Sequence, residues 1–117
     1  SSYNNMALVY KAQGKLDLAL EHYQKSLAIR LKALGPDHPD VGSSYNNMAA
    51  VYKAQGKLDL ALEHHEKSLA IGLKARGPDH PDVGASYNNM ATVYKLQGKL
   101  DLALEHYQKS LAIRLKA

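Results

Sequence analysis

The chain copies itself. Residues 43–84 repeat residues 1–42 with five changes: Leu8/Ala50, Tyr23/His65, Gln24/Glu66, Arg30/Gly72 and Leu34/Arg76. Residues 85–117 repeat residues 1–33 with three: Ser1/Ala85, Leu8/Thr92 and Ala12/Leu96. This 42-residue period constrains the fold more than any other feature. A unit so short cannot bury a core alone, so copies must stack on one another. The near identity records recent duplication or deliberate construction. We read residues 1–117 as one domain of three units, 1–42, 43–84 and 85–117, the last truncated.

Each unit reads as two helices. Tyr3, Met6, Ala7 and Tyr10 fall at i, i+3, i+4 and i+7, one helical face. The next first helix is expected at about residues 39–55, with His38 just outside, Pro39 in its first turn and Asp40 at its positive end. Gly56 is the expected left-handed stop. A second helix follows at once, with Asp59 as N-cap and Leu58, Leu62, His65, Leu69 and Leu73 as its stripe. Glu63 and Lys67 form an i,i+4 pair, repeated by Glu21/Lys25 and Glu105/Lys109. Ala7, Ala19 and Ser26 are small enough to let paired helices approach closely. No alternating apolar run predicts a sheet, so the expected class is all-α with six helices.

The octapeptide GPDHPDVG occurs at residues 35–42 and 77–84. Its histidine and aspartates could be ligands, but its prolines keep the loop short and extended, and successive loops lie a full unit apart. Gly35 can take positive φ, Pro36 blocks the preceding helix and Pro39 starts the next, so the segment is punctuation between units. His22, His64 and His106 are one position repeated and are expected on an exposed face. His64 and His65 point about 100° apart on a helix and do not chelate together. His65 takes the core position held by Tyr23 and Tyr107, where protonation is expected to weaken the middle unit. No nucleophile motif or phosphate loop occurs, so we expect no enzyme, no cofactor and no metal.

The net charge is +4, but about half of it arises because the third unit stops before another octapeptide supplies two aspartates. The lysines are spread singly, which argues against nucleic-acid binding. No apolar stretch is long enough to span a membrane, and no signal peptide is recognisable. The chain has no cysteine, which excludes disulfides and thiol chemistry and weakly favours a reducing, cytoplasmic setting.

The spaced run Tyr3, Met6, Ala7, Tyr10, Gly14, Ala19, Tyr23 and Ser26 resembles the tetratricopeptide repeat. With "LAIRLKALGPDHPDVG" and "YNNMA", the unit is similar to the 42-residue version found in kinesin light chains. The chain departs from the pattern at Tyr3, where Trp or Leu is usual, at His65, and at Leu31, where a proline is usual. The resemblance implies a right-handed α-solenoid of three helix-turn-helix units, with first helices lining a concave surface. It places Asn5, Asn47 and Asn89 where such proteins offer an asparagine to a bound peptide backbone. Asn4, Asn46 and Asn88 stand beside them. Leu8, Ala50, Thr92, Ala12, Ala54 and Leu96 match neighbouring groove positions, flanked by Lys11, Lys53 and Lys95. The other reading of the asparagines is a bridge between adjacent first helices. Asn4 and Ser1 stand where chaperone-tail receptors carry basic groups, so that ligand class is not expected.

The two faces of the stack imply a further partner. Leu104, Tyr107, Leu111 and Leu115 are expected to form an apolar stripe that another unit would cover. Tyr3 and Met6 belong to the matching front face. Two functions are therefore expected: a scaffold binding an extended peptide or protein segment, or an array that self-associates head to tail or by helix exchange.

Overall fold

The computed structural model describes residues 2–116. Ser1, read above against the basic groups of chaperone-tail receptors, lies outside the described residues, as does Ala117. Six helices follow in order: α1 (Ser2–Ala12), α2 (Leu16–Leu34), α3 (Pro39–Ala54), α4 (Leu58–Arg76), α5 (Pro81–Leu96) and α6 (Leu100–Lys116). Each packs on the one before and the one after. The result is an α-solenoid, all-α among the described residues, measuring 35 × 30 × 19 Å. Its radius of gyration is 14.2 Å, slightly above the ~13 Å of a compact domain this long.

Glycines end the first helices in one repeated way. Gly14, Gly56 and Gly98 all have φ of 77°, a conformation that costs other residues energy. Gly56 N donates to Lys53 O at 3.0 Å, and Lys57 N donates to Tyr52 O at 2.9 Å. This pair of bonds is a Schellman closure. It delivers the chain directly into α4, so Lys57 and not Asp59 is the capping residue, and no side chain caps that end. Asp59 lies inside the first turn, where its carboxylate accepts from Gln97 Nε2 of the next unit at 2.8 Å. Asp17 does the same for Gln55 at 2.7 Å.

The octapeptide is indeed the junction between units. Gly35 and Gly77 have φ of 88° and 89°, and Pro39 and Pro81 open α3 and α5. The helix N-cap is histidine: His38 Nδ1 accepts from Asp40 N, and His80 Nδ1 from Asp82 N, each at 3.0 Å. The neutral ring nitrogen thus takes the place of the usual hydroxyl or carboxylate oxygen. The aspartates face outward: Asp37 accepts from Lys74 at 2.7 Å and Asp79 from Lys116 at 3.2 Å.

The core runs along the stack. Ala7, Ala19, Tyr23, Met48, Val51, Ala61, Leu62, Met90 and Val93 form one buried cluster. Small residues set the helix spacing. A Cβ added at Gly42 would lie 3.3 Å from Ile71 Cγ2, and one at Gly84 would lie 3.2 Å from Ile113 Cγ2. Leu73, expected in the α4 stripe, lies at its exposed edge. Among the described residues, only Glu21–Lys25 of the three expected i,i+4 pairs closes, at 3.9 Å. Lys25, Lys67 and Lys109 instead lie over the rings of Tyr3, Tyr45 and Tyr87 at 5.6, 5.3 and 5.4 Å.

Replacing His38 and His80 together by alanine is expected to lower the unfolding free energy by about 1 kcal/mol per cap. Urea denaturation checks this. An asparagine at both positions restores the capping acceptor and is expected to recover most of the loss.

Candidate functional site

First helices carry a ladder of amides across the units. Asn47 Nδ2 donates to Asn4 Oδ1, and Asn89 Nδ2 to Asn46 Oδ1, each at 3.4 Å. Both bonds are long, so they are weak ties. The side-chain carbonyls of Asn47 and Asn89 make no hydrogen bond among the described residues. The bridging reading therefore accounts for one N–H of each amide and leaves the carbonyl open.

A cleft of about 350 Å³ opens along this ladder. Its walls are Lys11, Asn46, Asn47, Ala50, Lys53, Ala54, His65 and Asn89. The alanines leave room, the amides offer donors and acceptors, and the lysines bring positive charge. Other groove residues fall outside the cleft. Asn5, Leu8, Ala12, Lys95 and Leu96 are exposed beyond it, and Asn4 and Asn88 are half-buried at its margins. Thr92 turns towards α6: its hydroxyl donates to Asn88 O at 3.1 Å and lies 3.2 Å from the Tyr107 hydroxyl.

His65 forms part of the cleft floor, which the sequence did not indicate. It is 3% exposed. Its Nδ1 lies 2.6 Å from Asn46 Oδ1, so the neutral ring donates there. Asn46 Oδ1 thus accepts from both His65 and Asn89. Burial lowers the His65 pKa from 6.5 to about 4, helped by the Lys53 charge and then by His64. The alternation of Tyr and His at residues 23, 65 and 107 was the signal available in the sequence.

The repeated histidines correct another expectation. His64 is buried, and His22 and His106 are half-buried, each between two tyrosines. His64 lies 5.9 Å from the Tyr45 ring and 4.9 Å from Tyr52, and its Nδ1 donates to Leu60 O at 2.9 Å. His22 and His106 repeat this with Tyr3/Tyr10 and Tyr87/Tyr94. These rings are packing for the helix pair. Among the described residues, no three His, Asp or Glu side chains are grouped to hold a metal ion.

On the outer faces, Leu62 is 9% exposed in α4, whereas its counterpart Leu104 in α6 is 58% exposed. Leu111 and Leu115 are also exposed, as are Tyr3 and Met6 on α1. Tyr107 is not fully part of that stripe: it is half-buried, with its hydroxyl turned to Thr92.

The tetratricopeptide repeat model matches residues 1–71 and 40–116. The chain belongs to the tetratricopeptide repeat family. Such repeats mediate protein–protein interaction, and the family and its structural neighbours are typically non-enzymatic scaffolds. Among solved structures, it is similar to BtubC (BKLC) from P. vanneervenii, with 26% identity and a TM-score of 0.91 over 98% of this chain and 45% of that one. It is also similar to a structure from Podosopora anserina whose repeats are described as nearly identical and TPR-like. There the identity is 30% and the TM-score 0.85, over 98% of this chain and 55% of that one. The chain spans about half the length of these two structures. The N-terminal domain of stress-induced protein-1 from C. elegans shares the fold at 22% identity and a TM-score of 0.75, over 96% of this chain and 81% of that one. No curated protein sequence matches significantly. No helix among the described residues is long and apolar enough to cross a membrane.

The depressed His65 pKa has a signed consequence. Unfolded, the ring takes its proton near pH 6.5; folded, it resists until about pH 4. Its contribution is complete above pH 6.5 and is lost as pH falls towards 4, a change on the order of 3 kcal/mol. His65→Tyr is expected to remove that component. Urea denaturation between pH 7 and 4 checks it: the native protein should lose stability relative to the variant as pH falls.

Proposed function

We propose that the chain is a non-enzymatic scaffold that binds an extended peptide segment in the concave groove of its first helices. The cleft along the asparagine ladder is the observation that carries this reading. An extended backbone offers an N–H and a C=O at regular intervals, and Asn47 and Asn89 each keep an acceptor for such a strand. Ala50 and Ala54 give it space. Lys11 and Lys53 favour acidic residues beside it, at a contact that weakens with salt. Leu8 and Leu96 differ from their counterparts in the other units and tune the ends of the groove.

Peptide-library selection against the folded chain supplies a ligand for the test. Asn47→Ala is then expected to weaken binding roughly three- to tenfold, the loss of one or two hydrogen bonds, with unchanged circular dichroism. Unaltered affinity by calorimetry would remove the ladder from the mechanism.

A second reading rests on the exposed leucines of α6. The face that Leu62 presents to α5 recurs at Leu104 on α6, so its nearest complement is α1 of a second copy. Such a contact is heterologous and extends into open chains. Light scattering across a concentration series is expected to show a rising molar mass. Leu111→Glu with Leu115→Glu should return it to that of a monomer, and a concentration-independent monomer mass excludes the array.

A further inference from the structure

Unit 2 departs from unit 1 where its second helix meets the next first helix. In unit 1, Arg30 spans this junction: Nη1 donates to the Asp40 main-chain O at 3.0 Å and to Ser44 Oγ at 2.9 Å. The Ser44 hydroxyl donates to that same Asp40 O at 3.3 Å. Unit 2 keeps both acceptors, as Asp82 and Ser86, but carries Gly72 in place of Arg30. Arg76, in place of Leu34, ties α4 to α5 by another route, with Nε 3.1 Å from Asp82 Oδ2. It leaves the old acceptors unclaimed.

A pocket of about 150 Å³ remains, walled by Gly72, Ser86, Asp82, Ile71, Pro39 and Asn46 among others. Ser86 is 4% exposed, and its hydroxyl makes no hydrogen bond among the described residues. The hydroxyl is open to the pocket rather than sealed from it, so an entering donor can reach it. The homologous hydroxyl in unit 1 is satisfied by a guanidinium, so the chain itself shows what chemistry fits these acceptors.

We propose that this pocket is a subsite for a guanidinium group, brought by an arginine side chain of a peptide in the groove. The planar cation offers several N–H donors at fixed angles, enough for the Asp82 carbonyl and Ser86 together. Ile71 and Pro39 supply apolar wall for its methylenes. Arg76 also lines the pocket, where unit 1 has Leu34, and its charge is offset by the Asp82 carboxylate it holds, so the recognition rests on the carbonyl and hydroxyl. Asn46 lines both this pocket and the cleft, so a strand in the groove runs beside the pocket. Delivery by a peptide rests on the groove reading; the affinity of the pocket for the cation does not.

The test titrates methylguanidinium into the protein and follows backbone amide NMR shifts. Saturable shifts confined to Gly72, Ala85 and Ser86 are expected in the millimolar range, ordinary for so small a ligand. They should vanish in the Gly72→Arg/Arg76→Leu variant, which rebuilds the unit 1 junction. A Cβ at Gly72 meets Val83 Cγ2 at 3.3 Å, so the melting temperature of that variant is recorded alongside. Ser86→Ala, which adds no bulk, gives the second measurement and should weaken the shifts. Equal shifts in native protein and variants, or shifts scattered over the surface, overturn the site. A blocked Gly-Arg-Gly peptide and its lysine counterpart form the other arm. Stronger binding of the arginine peptide, lost in the rebuilt variant, supports delivery through the groove. If methylguanidinium binds but the two peptides do not differ, peptide delivery fails while the cation site stands.

Discussion

Everything in this structure depends on one helix pair covering the apolar face of the next. Leu62 and Leu104 sit in nearly the same sequence, yet the first is buried and the second is exposed. The difference is the helix laid over one and not the other. Hydrophobic burial is thus a property of neighbours, and the favourable term per unit appears only when the stack forms. The alanines at residues 7, 49 and 91 are fully buried because they let those neighbours come close. The glycines at 42 and 84 do the same at the mouths of α3 and α5.

On that frame, the polar contacts divide between two jobs. Some join one unit to the next: Asp17 to Gln55, Asp37 to Lys74, Arg30 to Ser44. They are mostly exposed and individually weak; the first two recur as Asp59 to Gln97 and Asp79 to Lys116, and the third does not. Others shape the cleft. Asn46 is the meeting point, since it takes bonds from His65 and Asn89 while lining both the cleft and the Gly72 pocket. Unit 2 differs from unit 1 at five positions, against three for unit 3, and it contributes to both the cleft and the Gly72 pocket, so the chemically distinctive surface lies in the middle of the stack.

Much of the fold was legible because it is written in local pattern. The period of 42, the i/i+3/i+4/i+7 face and Gly56 depend on residues close in sequence. What escaped depends on placement across helices. Asp59 looked like a cap because aspartate often is one, but the Schellman closure at Gly56 brings Lys57 to that position and frees Asp59 for Gln97. The repeated histidines looked solvated because only the paired helix shows their tyrosine neighbours. Of the candidate groove, Asn46, Asn47, Asn89, Ala50, Ala54, Lys11 and Lys53 converge on one cleft. Thr92 does not, since its hydroxyl finds Tyr107 first.

The Arg30 junction has one more consequence. Its acceptors in α3 are matched atom for atom by Asp82 and Ser86 in α5. Arg30 therefore cannot tell the adjacent helix from the one a unit further along. A chain that looped out its middle copy would satisfy that arginine, and Ser86, equally well. What opposes this slippage is first the burial that a looped-out copy would forfeit at Met48, Val51 and Leu62, and then chain connectivity, since the four residues 35–38 between α2 and α3 close a much shorter loop than a skipped unit would. The linear order of this solenoid is held by burial and by its tethers, and Arg30 confirms an order it does not choose.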